Sequence, residues 1–395
     1  MVNFNRKNIF LRGMLAVLFF VVFYAGFFIG NATVVCKACK PETLDFSLFW
    51  DAYGKLHKNF IDPDNINDQS VIYGAISGMT ESLNDPYTAF FDPKQAKMFQ
   101  QDLSGSFGGI GIEVGVKKDQ LTIVAPLKDT PSERAGLKSG DQIIKINGKN
   151  TSDMPEDQAV NLIRGERGTQ VTLTIFREDW SQTKDFTVIR DTIKIPSMDW
   201  ELKNDDVAYI HIYQFNQNAS ADFKKLALEV LKSPAKKIIL DLRNNPGGYL
   251  EVCQEIAGWF LQSGQVVVIE DFGNNKTAKH YEAEGNSSFA NYPVVVLINK
   301  GSASASEILA GALRDNRNVR LVGEKSFGKG SVQEVVYLAD NASFLKITIA
   351  KWLTPKGNSI SEVGLTPDVK VENIDTEPSK DLQLEKALEI IKDLQ

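Results

Sequence analysis

The chain has 395 residues, 43% of them hydrophobic and 24% charged, with a formal net charge of −6. That length implies two or three globular domains with sizeable cores. Phosphate binding needs clustered Lys and Arg, which this balance does not supply, so nucleic acid is excluded as a partner.

Residues 1–40 stand apart. Arg6, Lys7 and Arg12 precede an uncharged apolar run from Gly13 to Gly30, long enough to span a bilayer. The expectation is a single-pass signal anchor whose basic flank stays in the cytoplasm, with the chain after residue 40 on the other side of the membrane. The small residues around Asn31 leave a cleaved signal as the second reading. Cys36 and Cys39 form a Cys-x-x-Cys with no second pair to complete a zinc site.

Residues 41–102 read as a helical cap, because "LFWDAYGKLHKNFI" and "SVIYGAISGMTESL" repeat apolar residues every three or four positions. "NDPYTAFFDP" then breaks the chain with two prolines. Nothing in this segment suggests chemistry, and His57 reads as a surface or packing residue.

From 103 to 185 the pattern changes to short strands, "GGIGIEVGV", "QLTIVAPL", "DQIIKING" and "TQVTLTIFRE", with one helix in "PEDQAVNLIRG". The glycine-rich entry from Phe107 to Ile112 is no dinucleotide fingerprint, since a strand and not a helix follows it. A backbone nest for a carboxylate, beside a strand edge that an extended peptide joins, fits better. "FGGIGIEV", "SERAGLKSGDQIIKINGK" and "LIRGERGTQVTLTIFR" resemble the PDZ domain carried by bacterial carboxyl-terminal processing proteases, also called tail-specific proteases. The resemblance implies that Gly109, Ile110, Gly111 and Ile112 receive the C-terminus of a protein substrate with an apolar tail. It also makes the membrane a bacterial cell membrane, with the catalytic part on the periplasmic or cell-surface side.

Residues 186–372 alternate buried-type strands ("DVAYIHIYQF", "KKIILDLRN", "PVVVLINK", "VRLVGEK") with helices, the signature of an α/β domain whose loops at the strand C-terminal ends carry the site. "NNPGG", "GSASAS" and "KSFGKGS" are the loops that stand out. Ser304-x-x-Glu307 is a capping-box pattern, and the start of a helix is also where a nucleophile gains from the dipole and from backbone N–H groups. A serine needs a base. The chain has three histidines, and neither His57, strand-borne His211 nor His280 in its polar stretch is convincing. A lysine is the other known partner. Bringing a lysine from about 10.4 to about 7.5 costs roughly 4 kcal/mol and requires desolvation. Lys329, between glycines and near Phe327, is the candidate for a closed pocket. Gly323, Gly328 and Lys329 match a Walker A spacing, but Gly330 replaces the hydroxyl residue and a strand pattern follows where a helix is required.

"GSASASEILAGALRDN" and "VGEKSFGKGSVQ" resemble the two active-site signatures of the same protease family. The resemblance implies that Ser304 is the nucleophile, Lys329 its base and Gln333 the residue orienting the lysine. It further implies an oxyanion hole from Ala305 and from Gly247 or Gly248 in "LDLRNNPGG". The implied fold is a ClpP/crotonase-like α/β protease core with an inserted, β-rich PDZ domain and an N-terminal helical cap, followed by a helical tail over 373–395. The implied activity is serine endopeptidase cleavage near the C-terminus of proteins, with no cofactor or metal. Arg164 is a possible link between PDZ domain and protease, and the helical cap and the amphipathic "LQLEKALEIIKDL" make a homo-oligomer plausible. A catalytically silent PDZ adaptor and a periplasmic amidase are the other classes to separate by experiment.

Overall fold

The computed structural model of the protein describes residues 20, 24 and 44–394, except 118–119, 153, 178, 195, 274–275 and 373–379. The apolar run Gly13 to Gly30, apart from Phe20 and Tyr24, and both Cys36 and Cys39 lie outside the described residues. Among the described residues no helix is long and apolar enough to cross a membrane. The chain divides into two units, residues 1–74 and 75–395.

The first unit holds helix α1 (Ser47–Asn59), which has no buried residue and leaves Leu48, Trp50 and Leu56 more than half exposed. Helix α2 (Asp68–Glu81) follows, with Asn67 Oδ1 accepting the Ser70 N–H at 2.9 Å to cap its first turn.

The second unit begins its ordered sheet with β1 (Ala89–Phe91) and continues into α3 (Pro93–Ser104). The α3 start is sharply specified: Asp92 accepts the N–H groups of Lys94 and Gln95, Gln95 returns to the Asp92 N–H, and Pro93 sits at the first turn. Strand β2 (Ser106–Gly109) and, after the PDZ region, β9 (Asp191–Lys194) pair as a two-stranded ribbon. Between them lie β3 (Ile112–Lys117), β4 (Gln120–Pro126), α4 (Pro131–Arg134), β5 (Gln142–Ile146), β6 (Lys149–Asn150), α5 (Glu156–Ile163), β7 (Gln170–Phe176) and β8 (Lys184–Ile189). Their sheet order is β3-β4-β5-β7-β8, which leaves β3 as a terminal strand with α5 beside it. Alternate residues such as Ile143, Val171, Leu173 and Ile175 fill a separate core. Because β8 pairs with β7, this sheet runs through Ile189, beyond the boundary at 185 read from composition.

The α/β part supplies the larger core. Strands β10 (Met198–Lys203), β11 (Val207–Ile212), β12 (Lys237–Asp241), β15 (Val294–Ile298), β16 (Arg320–Gly323) and β19 (Val369–Lys370) form one sheet in that order, parallel except for β10. Period-two alternation sends Ala208, Ile210, Ile238, Leu240, Val294 and Val296 to one face. There they meet α6 (Ala219–Lys232), α7 (Leu250–Phe260) and α8 (Ala305–Arg317). Val207, Ile239, Val295, Leu297 and Val322 face the other way, onto α9 (Leu382–Lys392) through Ala387, Ile390 and Ile391. The amphipathic C-terminal helix therefore buries its apolar face against the sheet of its own chain. That corrects its reading as an oligomer surface.

A second sheet, unread in the sequence except for its β17 segment, completes the core. It is ordered β1-β18-β13-β14, with β17 on the other side of β18; the strands are β13 (Val266–Asp271), β14 (Lys279–Glu282), β17 (Ser331–Tyr337) and β18 (Phe344–Leu353).

Candidate active site

The three serines of the opening α8 loop have different fates. Ser302 Oγ donates to the Leu242 carbonyl (2.8 Å) and Ser306 Oγ to the Asn245 carbonyl (2.9 Å), and both residues are fully buried. They tie the loop to the end of β12. Ser304 alone of the three lines a cavity of about 530 Å³, together with Ala305, Gly247, Gly248, Lys329 and Gln333. Its backbone adopts φ 55°, a region where a residue with a side chain is strained and which recurs at functional turns.

The base candidate reaches the same cavity on the loop between β16 and β17. That loop leads into a strand, as Gly330 argued against a P-loop. Burial pushes the Lys329 ammonium below the ordinary lysine range, with Glu307 pulling against it. Among the described residues none of the three histidines lines this cavity.

The sequence shows Glu307 only as half of a helix cap. Its carboxylate does accept the Ser304 N–H at 2.9 Å, but it is fully buried and also accepts Ser326 Oγ (2.6 Å), Gly328 N–H (2.7 Å) and Lys329 N–H (2.9 Å). One side chain thus holds both catalytic-candidate loops in register. Burial raises its proton affinity and the four hydrogen bonds oppose that rise.

The glycine pair is placed by close backbone approach. A Cβ on Gly247 would lie 2.8 Å from Ser304 Cβ and 2.9 Å from the Ala305 nitrogen, and one on Gly248 would lie 2.1 Å from the Phe215 carbonyl oxygen. Both residues have positive φ (100° and 145°), so only glycine fits. Gly247 N–H is engaged by Asn245 Oδ1 at 2.9 Å.

Gln333 lines the cavity with Lys329, but its Nε2 donates to Ser331 Oγ at 2.6 Å. Lys346 on β18 is a second lysine in the cavity; its ammonium lies 5.2 Å from the Phe91 ring centre and 5.8 Å from that of Phe99. Burial and then the neighbouring Lys329 lower its proton affinity, with Asp85 opposing. Tyr87, from the segment that suggested no chemistry, has its ring centre 6.0 Å from Lys329 Nζ.

On the PDZ side, Gly111 has φ 76° and its carbonyl accepts Ser132 Oγ at 2.6 Å, fixing the turn that leads from Gly109 and Ile110 into Ile112 and the edge strand β3. Arg164, just after α5, donates to Asp102 Oδ1 on α3 at 2.6 Å and stacks 4.1 Å from the Phe107 ring centre. Phe99 and Leu103, on the same helix α3, line the Ser304 cavity.

Comparison with known proteins gives this geometry its context. Residues 206–371 match the model of peptidase family S41 and residues 99–176 that of the PDZ domain. The carboxy-terminal processing protease CtpA of Bacillus subtilis (strain 168) is 37% identical over 348 residues, covering 88% of this chain and 73% of that protein. The carboxy-terminal-processing protease of Bartonella bacilliformis (strain ATCC 35685 / KC583 / Herrer 020/F12,63) is 36% identical, with 89% and 82% covered. Among solved structures, the photosystem II D1 C-terminal processing protease superposes with a TM-score of 0.53 at 26% identity over 88% of this chain and 97% of its own. A putative S41 protease from Bacteroides fragilis NCTC 9343, 15% identical with a TM-score of 0.54, shares the fold. With relatives of this identity and coverage on both sides, the chain belongs to the carboxy-terminal processing proteases, PDZ-bearing serine-type peptidases of family S41.

Proposed function

We propose that the protein is an endopeptidase that recognises the C-terminal tail of a protein through its PDZ domain and cleaves the chain with a Ser304–Lys329 dyad. The observation that carries this reading is that Ser304, alone of its three loop serines, lines a cavity shared with a lysine that burial drives toward its neutral form. In this reaction Lys329 takes the Ser304 proton, the hydroxyl oxygen bonds to the peptide carbonyl carbon, and the carbonyl oxygen becomes an oxyanion. Lys329 then gives its proton to the leaving amine, and water hydrolyses the ester.

The oxyanion donors on this reading are the N–H groups of Ala305 and Gly248. Gly247 N–H already has an acceptor in Asn245, which favours Gly248 of the two. Such donors contribute about 3 kcal/mol or more when aimed at the developing charge. Gln333 Nε2 is held by Ser331 Oγ, which leaves the amide oxygen as the atom that would accept from Lys329 and orient it on this reading. For the tail, the terminal strand β3 beside α5 supplies an edge to pair with, and the Gly109–Ile112 turn a nest for the carboxylate. A membrane location for the protein rests on the Gly13–Gly30 run alone.

The test uses one unfolded substrate with an apolar tail and the same substrate ending in two aspartates. Cleavage of the first only, lost in Ser304→Ala and in Lys329→Met, supports the reading. Activity surviving in Ser304→Ala sinks it; binding of the apolar tail without cleavage in the parent protein favours a silent adaptor instead. Cleavage indifferent to the tail points to an amidase-like activity.

A further inference from the structure

The dyad requires Lys329 as a free amine, so something must keep water off it, and the Tyr87 ring centre lies 6.0 Å from its nitrogen. Asp85 Oδ1 accepts the Tyr87 N–H (3.1 Å) and Asp85 Oδ2 accepts Thr88 Oγ1 (2.6 Å), an Asx-type turn around Pro86. Thr88 Oγ1 in turn accepts the Thr348 N–H of β18 at 3.0 Å, and β1 continues the pairing with Ala89 opposite Lys346. This turn is thereby locked onto β18, and Tyr87 is held with its ring toward Lys329.

We propose that Tyr87 is a positioning residue for Lys329: its ring forms the outer wall that excludes water from the amine and limits the directions in which the amine points. The inference rests on the dyad reading. The groups facing Lys329 are Glu307 from α8, Lys346 from β18 and Tyr87 itself, while Asp85, Glu307 and Glu362 face Tyr87. Glu307 favours the ammonium; burial opposes it, and burial wins. A ring face also attracts a cation, but at 6.0 Å the ring centre lies at the outer limit of that interaction. Desolvation is the larger effect for a buried lysine. The phenol stays protonated, since burial first and then the surrounding carboxylates raise it.

The experiment is the pH dependence of kcat and KM for the full chain and for Tyr87→Phe and Tyr87→Ala. Exposing the amine moves the acid limb of kcat upward. The Ala variant is expected to lose roughly tenfold in kcat below the limb and little above it, for a shift of about one pH unit. Tyr87→Phe keeps the wall and is expected to keep the limb where it is. A limb unmoved in Tyr87→Ala, or an equal loss at every pH, overturns the inference. Should the Ala variant turn over too slowly, Lys329 acylation by an amine reagent is followed against pH in the Ser304→Ala background, with and without Tyr87→Ala. There the labelling midpoint must rise with the second substitution, and an unchanged midpoint also overturns the inference. Lys329→Met runs alongside: if it stays active the dyad reading fails, whereas a dead Lys329→Met with an unmoved limb in Tyr87→Ala defeats only the role of Tyr87.

Discussion

Two cavities of similar size open on the α/β part of the chain, and they use charge in opposite ways. The one lined by His211, Asp241, Arg243, Lys300 and Glu324, about 500 Å³, gives its cations carboxylate partners. Arg243 grips Asp241 (2.5 Å) and Asp381 at the start of α9 (2.7 Å), and Lys300 meets Glu324 at 3.0 Å. Burial would pull Arg243 down, yet its hydrogen bonds to Asp381 and Asp241 leave it raised. In the Ser304 cavity, by contrast, Lys329 and Lys346 lie among aromatic rings, and among the described residues neither has a carboxylate at ion-pair distance of its ammonium. A paired buried cation holds a helix in place; an unpaired one is driven to give up its proton. On the proposed reading, the contrast separates a structural site from a reactive one.

The sharpest way to break the contrast is at Lys329. Lys329→Arg keeps a cation that cannot deprotonate, and Lys329→Met removes it; both are expected to lower kcat/KM by about a thousandfold or more. Their stabilities part company. A lysine whose folded proton affinity is below its unfolded value disfavours folding while the unfolded chain is protonated. Stability therefore rises with pH from the folded value up to about 10.4, and Lys329→Met should be more stable than the parent below that window, the gain vanishing above it. Denaturant titrations at neutral pH and near pH 10.5 measure this, and an equal difference at both sinks the argument. For the parent, kcat/KM should fall as pH drops through the lowered lysine value, because the base is then protonated.

Glu307→Gln comes next. An amide presents a donor toward N–H groups that now have an acceptor, so at least one buried donor is left unpaired, at a cost of about 1–3 kcal/mol. Because both loops hang on this side chain, kcat should also fall by about ten- to a hundredfold with KM little changed. Asp381→Asn tests the paired cavity: it should lower stability by about 1–2 kcal/mol by weakening the Arg243 grip on α9, and leave the pH limb of kcat in place. A shifted limb in Asp381→Asn would remove the distinction between the cavities.

The difference between the cavities also marks what a sequence yields. The parallel strands β11, β12, β15 and β16 were legible because strands buried on both faces read as continuous apolar runs. Ser304 and Lys329 were legible as candidates because each lies in a compact local signature, and both line one cavity. Glu307 was visible as a cap, but its three other bonds come from residues 19 to 22 positions later. The parallel pairing of β15 with β16 brings those segments together. Tyr87 lies farther still from its target, and only the β1–β18 register carries it there. No local period encodes that register, and the same holds for the pairing of β13 with β14 and β18. The Arg243–Asp381 grip joins residues 138 positions apart and left no trace in spacing.

The smallest expected effect sits between the PDZ domain and the reactive cavity. Arg164 holds Asp102 of α3 while Phe99 and Leu103 of that helix form cavity wall, so the helix touches both regions. Lys97 of α3 adds a contact to Glu166 at 2.5 Å, but both side chains are more than half exposed, and such pairs are worth well under about 1 kcal/mol. Arg164 is mostly covered and also stacks on Phe107, so it is the stronger of the two ties. If α3 carries tail occupancy to the cavity, Arg164→Ala should narrow the ratio of kcat/KM between apolar-tailed and aspartate-tailed substrates by a fewfold. Lys97→Ala should change it less. Binding of the isolated tail peptide should be unaltered in Asp102→Ala, which loosens the helix without touching the PDZ groove, while the same ratio narrows. A ratio unchanged in both Arg164→Ala and Asp102→Ala would mean that the PDZ domain selects substrates by tethering alone, and that α3 is only a wall.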